Sequence, residues 1–312
     1  MSTLRMLHLT DTHLFGDDSR HYGVVDTEAH LRLALARMDR ERLDLVVCSG
    51  DVSEDGSRES YERVRGILEP WASERGARTV YAMGNHDRRA EFRAVLGDGQ
   101  PGAGAAVPGT AVRGAAVPGA AGQGHSGQGA SAQPDAPIVS IAVAHGWRTV
   151  VLDTSVPGAG YGELDEEQLA WLGEALAEPA EHGTVVVMHH PPVAARTDLL
   201  QALALDDASA DGLWARLRGS DVRVILSGHY HHPIVETVAG IPVVVAPGVT
   251  NLAEAFERRE DESAADWFGG AIVEVSGDRV RVLPFTEPAT GAEVFRFDAT
   301  QVRQIIEVAG RA

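Results

Sequence analysis

Residues 45–51 read Leu-Val-Val-Cys-Ser-Gly-Asp, an apolar run that stops abruptly on a serine, a glycine and an aspartate. Four consecutive apolar residues bounded by a turn signal read as a short buried strand. The same punctuation recurs along the chain. Leu4 to Leu9 reads as a strand ending at Thr10-Asp11, and Thr79 to Met83 as one stopping at Gly84-Asn85. Thr184 to Met188 ends at His189, and Val222 to Leu226 ends at Gly228-His229. Helical patterns lie between these strands. Leu31, Leu35 and Met38 recur at helical spacing after a cap at Asp26 or Thr27. A stretch from about 57 to 74 is helical, with Pro70 expected to kink or end it. Leu164 to Glu178 is a third helix, with Asp165 and Gln168 placed as a capping box. Such alternation argues for an α/β sheet with helices packed on its faces.

The C-terminal third adds β runs at 234–238 and 241–246, a pair at 271–275 and 280–284, and a capped helix over 298–308. Ile138 to Ala144 and Arg148 to Leu152 read as paired strands. No linker separates two domains, so residues 1–312 read as one. Residues from about 97 to 137 break the pattern. They are rich in Gly, Ala and Pro, and the hexamer Gly-Ala-Ala-Val-Pro-Gly occurs at 104–109 and again at 114–119. With few large apolar side chains to offset chain entropy, this insertion is expected to be a disordered surface loop.

Five polar blocks follow the apolar strands: Asp11-Thr12-His13, Gly50-Asp51, Gly84-Asn85-His86-Asp87, His189-His190-Pro191-Pro192 and Gly228-His229-Tyr230-His231. Seven of the 13 histidines lie in or directly beside them. Any one block is explained by turn and capping chemistry. All five in order, each at a strand end, point to a ligand site, because open α/β sheets bind ligands at the carboxyl ends of their strands. Carboxylate, amide and imidazole donors suit Mn, Fe, Zn and similar divalent ions. Strand alternation would put Asp11 and His13 on one face, and likewise His229 and His231. Asp51 can bridge two ions, and Asn85 adds a neutral oxygen ligand. Cys48, the sole cysteine, lies inside a strand, which weighs against a cysteine-based zinc site and fits a reducing cytoplasm.

The blocks together resemble the calcineurin-like metallophosphoesterase superfamily, whose pattern is D-x-H, G-D, G-N-H-D/E, H and G-H-x-H. The match covers residues about 5 to 250. The stretch Tyr22-Gly23-Val24-Val25-Asp26, the run from Val151 to Gly158, and His-His-Pro-Pro in place of a single histidine are similar to the bacterial class III cyclic nucleotide phosphodiesterases. Protein phosphatases of the superfamily carry Arg-Gly soon after Gly-Asp, where this chain has Val52-Ser53-Glu54. Purple acid phosphatases place a tyrosine ligand where it has Glu54. The resemblance implies an α/β four-layer αββα sandwich with two metal ions, Fe or Mn, or else Zn. It assigns Asp11, His13, Asp51 and His231 to one ion, and Asp51, Asn85, His189 and His229 to the other. It makes His86 the catalytic histidine, oriented by Asp87. The expected activity is metal-dependent hydrolysis of a small phosphodiester without a phosphoenzyme: a 3′,5′-cyclic nucleotide (cAMP or cGMP), or a 2′,3′-cyclic one. A glycerophosphodiester or nucleotide-sugar phosphodiesterase is the alternative. A non-catalytic cyclic-nucleotide-binding or scaffold protein is the alternative from another class. A homodimer is compatible with the resemblance.

Charge narrows the partners. The chain carries 45 acidic residues against 27 basic ones, a formal net charge of -18. Long nucleic acids draw affinity from clustered cations, so they are unlike partners for this surface. No apolar stretch reaches the roughly 18–20 residues of a membrane span. The N-terminal apolar run, broken by His8 and Asp11, does not read as a signal peptide.

Overall fold

The computed structural model describes residues 2–100, 112–113 and 135–310. Two sheets face each other. The first runs β11 (Leu252–Ala253), β12 (Glu262–Ser276), β1 (Thr3–Leu9), β2 (Leu45–Ser49) and β3 (Arg78–Ala82), with β13 (Arg279–Phe297) also paired to β12. The second runs β4 (Val112–Arg113), β5 (Ser140–Ala144), β6 (Trp147–Val151), β7 (Gly183–Val187), β8 (Val222–Ser227), β10 (Ile241–Val245) and β9 (Ile234–Val238). The central neighbours β1–β2–β3 and β6–β7–β8 are parallel. Their strands read as nearly unbroken apolar runs because both faces of each sheet are covered.

Three apolar layers hold the sandwich. Leu4, Met6, Val47 and Val80 from the first sheet meet Val151, Val185, Val187, Val224 and Leu226 from the second. Leu7, Leu9, Val46 and Tyr81 point the other way, against α1 (Thr27–Arg37), α2 (Arg58–Glu74) and α3 (Arg89–Leu96). Val150, Val186, Met188 and Ile225 pack on α4 (Glu166–Ala175) and α6 (Asp207–Leu217). Each such side chain, fully buried, contributes about 1.5–3 kcal/mol. The order helix, sheet, sheet, helix is the expected αββα sandwich. Short α5 (Asp198–Ala202) and C-terminal α7 (Ala299–Ala309) stand together at one end.

Several details differ from the sequence reading. Pro70 lies inside α2, which continues to Glu74. Pro70 and Gly66 are both exposed, so the carbonyl that proline leaves unpaired can turn to water. Asp165 caps α4, but the Gln168 side chain does not return the bond. Its Nε2 donates to Asp153 O at 2.9 Å and its Oε1 accepts from Asp153 N at 3.2 Å, so it braces a loop instead. Strands β12 and β13 are far longer than the runs at 271–275 and 280–284 suggested. Of the insertion read at about 97–137, Gln100 is buried with Nε2 donating to Ser140 Oγ, and Val112–Arg113 pairs with β5. Most of the remainder lies outside the described residues. Among the described residues, no helix is long and apolar enough to cross a membrane.

Candidate metal centre

All five blocks sit just beyond the carboxyl ends of parallel strands. Asp11 and His13 follow β1, Asp51 follows β2, and Asn85, His86 and Asp87 follow β3. His189 follows β7, and His229 and His231 follow β8. The i, i+2 argument from strand alternation does not apply, because each strand has already ended. The chain instead turns through the left-handed region: φ is 53° at Asp11, 45° at His13, 45° at Asp51, 72° at His229 and 53° at His231. Non-glycine residues avoid that region, and strained backbone of this kind concentrates at functional sites. Close approach is also built in. A Cβ on Gly50 would lie 2.4 Å from the His189 ring, and one on Gly84 would lie 2.2 Å from the Asp51 carboxylate. Only glycine fits at either place.

The candidate ligand atoms converge. Asp51 Oδ2 lies 3.6 Å from His13 Nε2 and 3.3 Å from His189 Nε2. Asp11 Oδ1 lies 3.3 Å from His231 Nε2, and His13 Nε2 lies 3.3 Å from His231 Nε2. Two atoms each about 2.1 Å from one ion at ordinary angles stand about 3.0–3.4 Å apart. Asn85 Oδ1, His189 Nε2 and His229 Nε2 are buried without a hydrogen-bond partner. Buried polar atoms are rarely left so, since desolvation costs about 1–3 kcal/mol apiece. The donor set therefore fits divalent cations.

Hydrogen bonds on the far side fix the tautomers. His189 Nδ1 donates to Ser49 O at 2.9 Å, His231 Nδ1 to Asn251 Oδ1 at 3.0 Å, and His13 Nδ1 to Glu54 Oε2 at 2.6 Å. Each turns its Nε2 toward the cluster, the nitrogen whose lone pair a neutral ring would offer to a metal ion. Burial works against the ionised form of Asp11, yet His231 and His189 hold its pKa below the ordinary carboxylate range. Burial likewise disfavours charge on His189, but Asp51 and Asp11 raise its pKa to about 9. His229 is pushed down to about 3, by burial first and His189 second.

His86 occupies an exposed position at the rim, with its backbone N–H donating to Asp51 Oδ1 at 2.9 Å. Asp87 does not orient it. The Asp87 carboxylate is buried and accepts from the backbone N–H groups of Val52, Ser53 and Gly84 at 3.1, 3.0 and 2.9 Å. It ties the loop after β2 to the loop after β3. Burial and Asp51 push its pKa up to about 7. The carboxylate beside His86 belongs to Glu54, whose Oε2 stands 3.3 Å from His86 Nδ1 while also holding His13. Partial dehydration disfavours charge on His86, but Asp51 and Glu54 outweigh it and raise its pKa to about 10. The sequence offered a signal for Glu54 in its position three residues after Asp51, where related enzymes place a ligand.

Neighbouring residues sort themselves by their partners. His190 Nδ1 meets Thr154 Oγ1 at 2.7 Å and its Nε2 meets Gly160 O at 3.3 Å, so both nitrogens are committed. Arg89, a candidate phosphate contact by position, binds Asp153 Oδ2 at 2.8 Å and Ser155 O at 2.9 Å instead. His21 is buried beside the cluster, its ring 4.9 Å from that of His13. A cavity of about 430 Å³ opens above these groups, floored by His13, Asp51, Asn85, His86, His229 and His231.

An αββα sandwich with Asp, Asn and His side chains gathered at its central strand ends defines a metallophosphoesterase. The calcineurin-like phosphoesterase family model matches residues 4–233, and the chain belongs to that family. The family implies a binuclear metal centre, and the Asp/His clusters described above are the candidates for it. A cAMP/cGMP dual specificity phosphodiesterase of Mycobacterium tuberculosis is 39% identical over 77% of this chain and 66% of its own length. A 3′,5′-cyclic adenosine monophosphate phosphodiesterase of Pseudomonas aeruginosa is 30% identical over 74% of this chain and 70% of its own. Among solved structures, a dimetal phosphatase from Danio rerio shares the fold with a TM-score of 0.56 at 15% identity, over 91% of this chain and 98% of that one.

Proposed function

We propose that the chain, acting as one metallophosphoesterase domain, hydrolyses a 3′,5′-cyclic nucleotide such as cAMP or cGMP with two bound divalent ions. Fe and Mn are the favoured ions and Zn the alternative. The observation that carries this reading is that His189 Nε2, His229 Nε2 and Asn85 Oδ1 lie buried without partners around the carboxylates of Asp11 and Asp51, beneath a cavity lined by Asp51, Asn85, His229 and His231. The names of the relatives support the substrate class. Asp11, His13, Asp51 and His231 would hold one ion, and Asp51, Asn85, His189 and His229 the other. Together the ions would activate water near neutral pH and neutralise the phosphoryl oxygens.

The chain's own residues do the rest. Five loops, joined by backbone hydrogen bonds such as Asp11 N to Gly50 O and Gly228 N to His189 O, bring the donors together before substrate arrives. His86 lines the cavity at its rim with Nδ1 against Glu54, so Nε2 is the nitrogen left to act on substrate. Held protonated by Asp51 and Glu54, it would hand its proton to the leaving alkoxide oxygen. Asp87 keeps the His86 loop in register rather than touching the ring. The buried Cys48 thiol fits the same reading of a cytoplasmic enzyme.

The test is a substrate panel after reconstitution with Fe, Mn or Zn: cAMP, cGMP, 2′,3′-cyclic nucleotides, a glycerophosphodiester and a phosphomonoester. The reading expects turnover of 3′,5′-cyclic nucleotides above the others; monoesterase activity alone would refute it. His86→Ala should retain bound metal and lose about 10²-fold in kcat. Full activity in a metal-analysed His86→Ala sample would remove that residue from the mechanism.

A further inference from the structure

The cavity has a second half that the phosphate chemistry does not use. Above the polar floor rises an aromatic wall made by Tyr22, Phe295 and Phe297. The two phenylalanines close β13, beyond residue 233 where the family match ends. Their rings stack at 4.7 Å with planes 20° apart. Tyr22 meets Phe295 at 4.6 Å and lies over His21 at 4.7 Å, and His21 reaches His13 at 4.9 Å. A continuous ladder of flat rings thus climbs from a candidate ligand to the mouth of the cavity.

Two features set this wall apart from ordinary core. Tyr22 is 51% exposed and both phenylalanines are only half-buried, and all three line the cavity. Tyr22 also sits at φ 51°, a costly conformation for a bulky residue. It is held there by a tight loop in which His21 and Val25 pair through their backbones at 3.0 Å. Strain that places a large ring half in solvent, beside a polar site, is not what packing alone selects. The void of about 430 Å³ falls within the range of small-ligand pockets.

We infer that Tyr22, Phe295 and Phe297 form a stacking wall for the planar base of the substrate, and so select base-bearing phosphodiesters over base-free ones. The inference rests on the phosphodiesterase reading above. A flat heteroaromatic ring can stack on such aromatic side chains, and stacking tolerates either purine.

The experiment compares cAMP with 1,4-anhydroribitol 3,5-cyclic phosphate, the same sugar phosphate lacking its base. In Phe295→Leu and Phe297→Leu, which keep apolar volume but remove a ring face, the preference for cAMP in kcat/KM should fall about tenfold, mainly through KM. Phe295→Tyr should keep it. Calorimetry on the metal-loaded protein should likewise show AMP losing affinity in the leucine variants while ribose 5-phosphate binds as before. Both substrates slowing together would mean the rings serve only packing, and an unchanged preference would mean the base lies elsewhere; either overturns the wall. A parent protein that cleaves other phosphodiesters but no cyclic nucleotide would instead remove the underlying reading, and this inference with it.

Discussion

His189 and His190 are adjacent, fully buried and on the same loop, yet their surroundings differ in kind. His190 has a hydroxyl on one nitrogen and a carbonyl on the other. His189 spends Nδ1 on Ser49 O and leaves Nε2 with no partner, 3.3 Å from Asp51. One imidazole is finished by the protein and the other is left open. An open nitrogen is not sufficient, however. His8 Nδ1 and both nitrogens of His232 are also unpartnered, yet among the described residues neither histidine joins a group of three ligand atoms within 4.8 Å. What marks a ligand is an unpartnered atom aimed at other unpartnered atoms.

The comparison can be broken by mutation. His189→Ala should lose one bound metal ion and nearly all activity, read by metal analysis and steady-state kinetics. Glu54→Gln should cost about 10–100-fold in activity by loosening His13 and His86 together. It should also move the alkaline limb of the pH–rate profile to lower pH, since the charge favouring protonated His86 is gone. His190→Ala should keep its metal while losing about 1–3 kcal/mol in denaturant unfolding, because Thr154 and Gly160 lose their partner. Loss of metal in that variant would erase the distinction between the two rings. An effect confined to acid pH concerns His8, whose pKa burial lowers to about 3. The unfolded chain takes up this proton near pH 6.5 and the folded one does not. Stability should hold above pH 6.5 and fall at about 1.4 kcal/mol per unit below it, until the folded pKa is reached. A His8→Gln variant should show a shallower acid slope in thermal melts.

Much of this was legible in the sequence, for physical reasons. Buried parallel strands must be apolar throughout, so β1, β2, β3, β7 and β8 announced themselves, and polar residues at their ends stood out. The alternation of β13 was hidden because it lies at an edge, largely exposed and rich in charge. Helices α5 and α6 follow a loop without a strong periodic signal. The seven candidate ligands and His86 all came from local motifs. For Glu54 local sequence offered only its position three residues after Asp51, because its role depends on two histidines, one of them 41 residues away in sequence. The resemblance gave Asp87 the task of orienting His86, whereas its buried carboxylate goes where backbone N–H groups are. The aromatic wall joins residue 22 to residues 295 and 297, a pairing no local pattern encodes.

The donors also come from both sheets. Asp11, His13, Asp51 and Asn85 hang from the first, while His189, His229 and His231 hang from the second. The His189 ring lies against Gly50, and its Nδ1 bond to Ser49 O crosses the gap between β7 and β2. Loaded with metal, the cluster would clasp the sandwich, and its loading would be linked to the closing of the two halves. Each cation bound there would add RT ln(1 + [M]/Kd) to the work of prising the halves apart. A chelator would act on this protein as a mild denaturant whose first cut falls along the seam between the sheets.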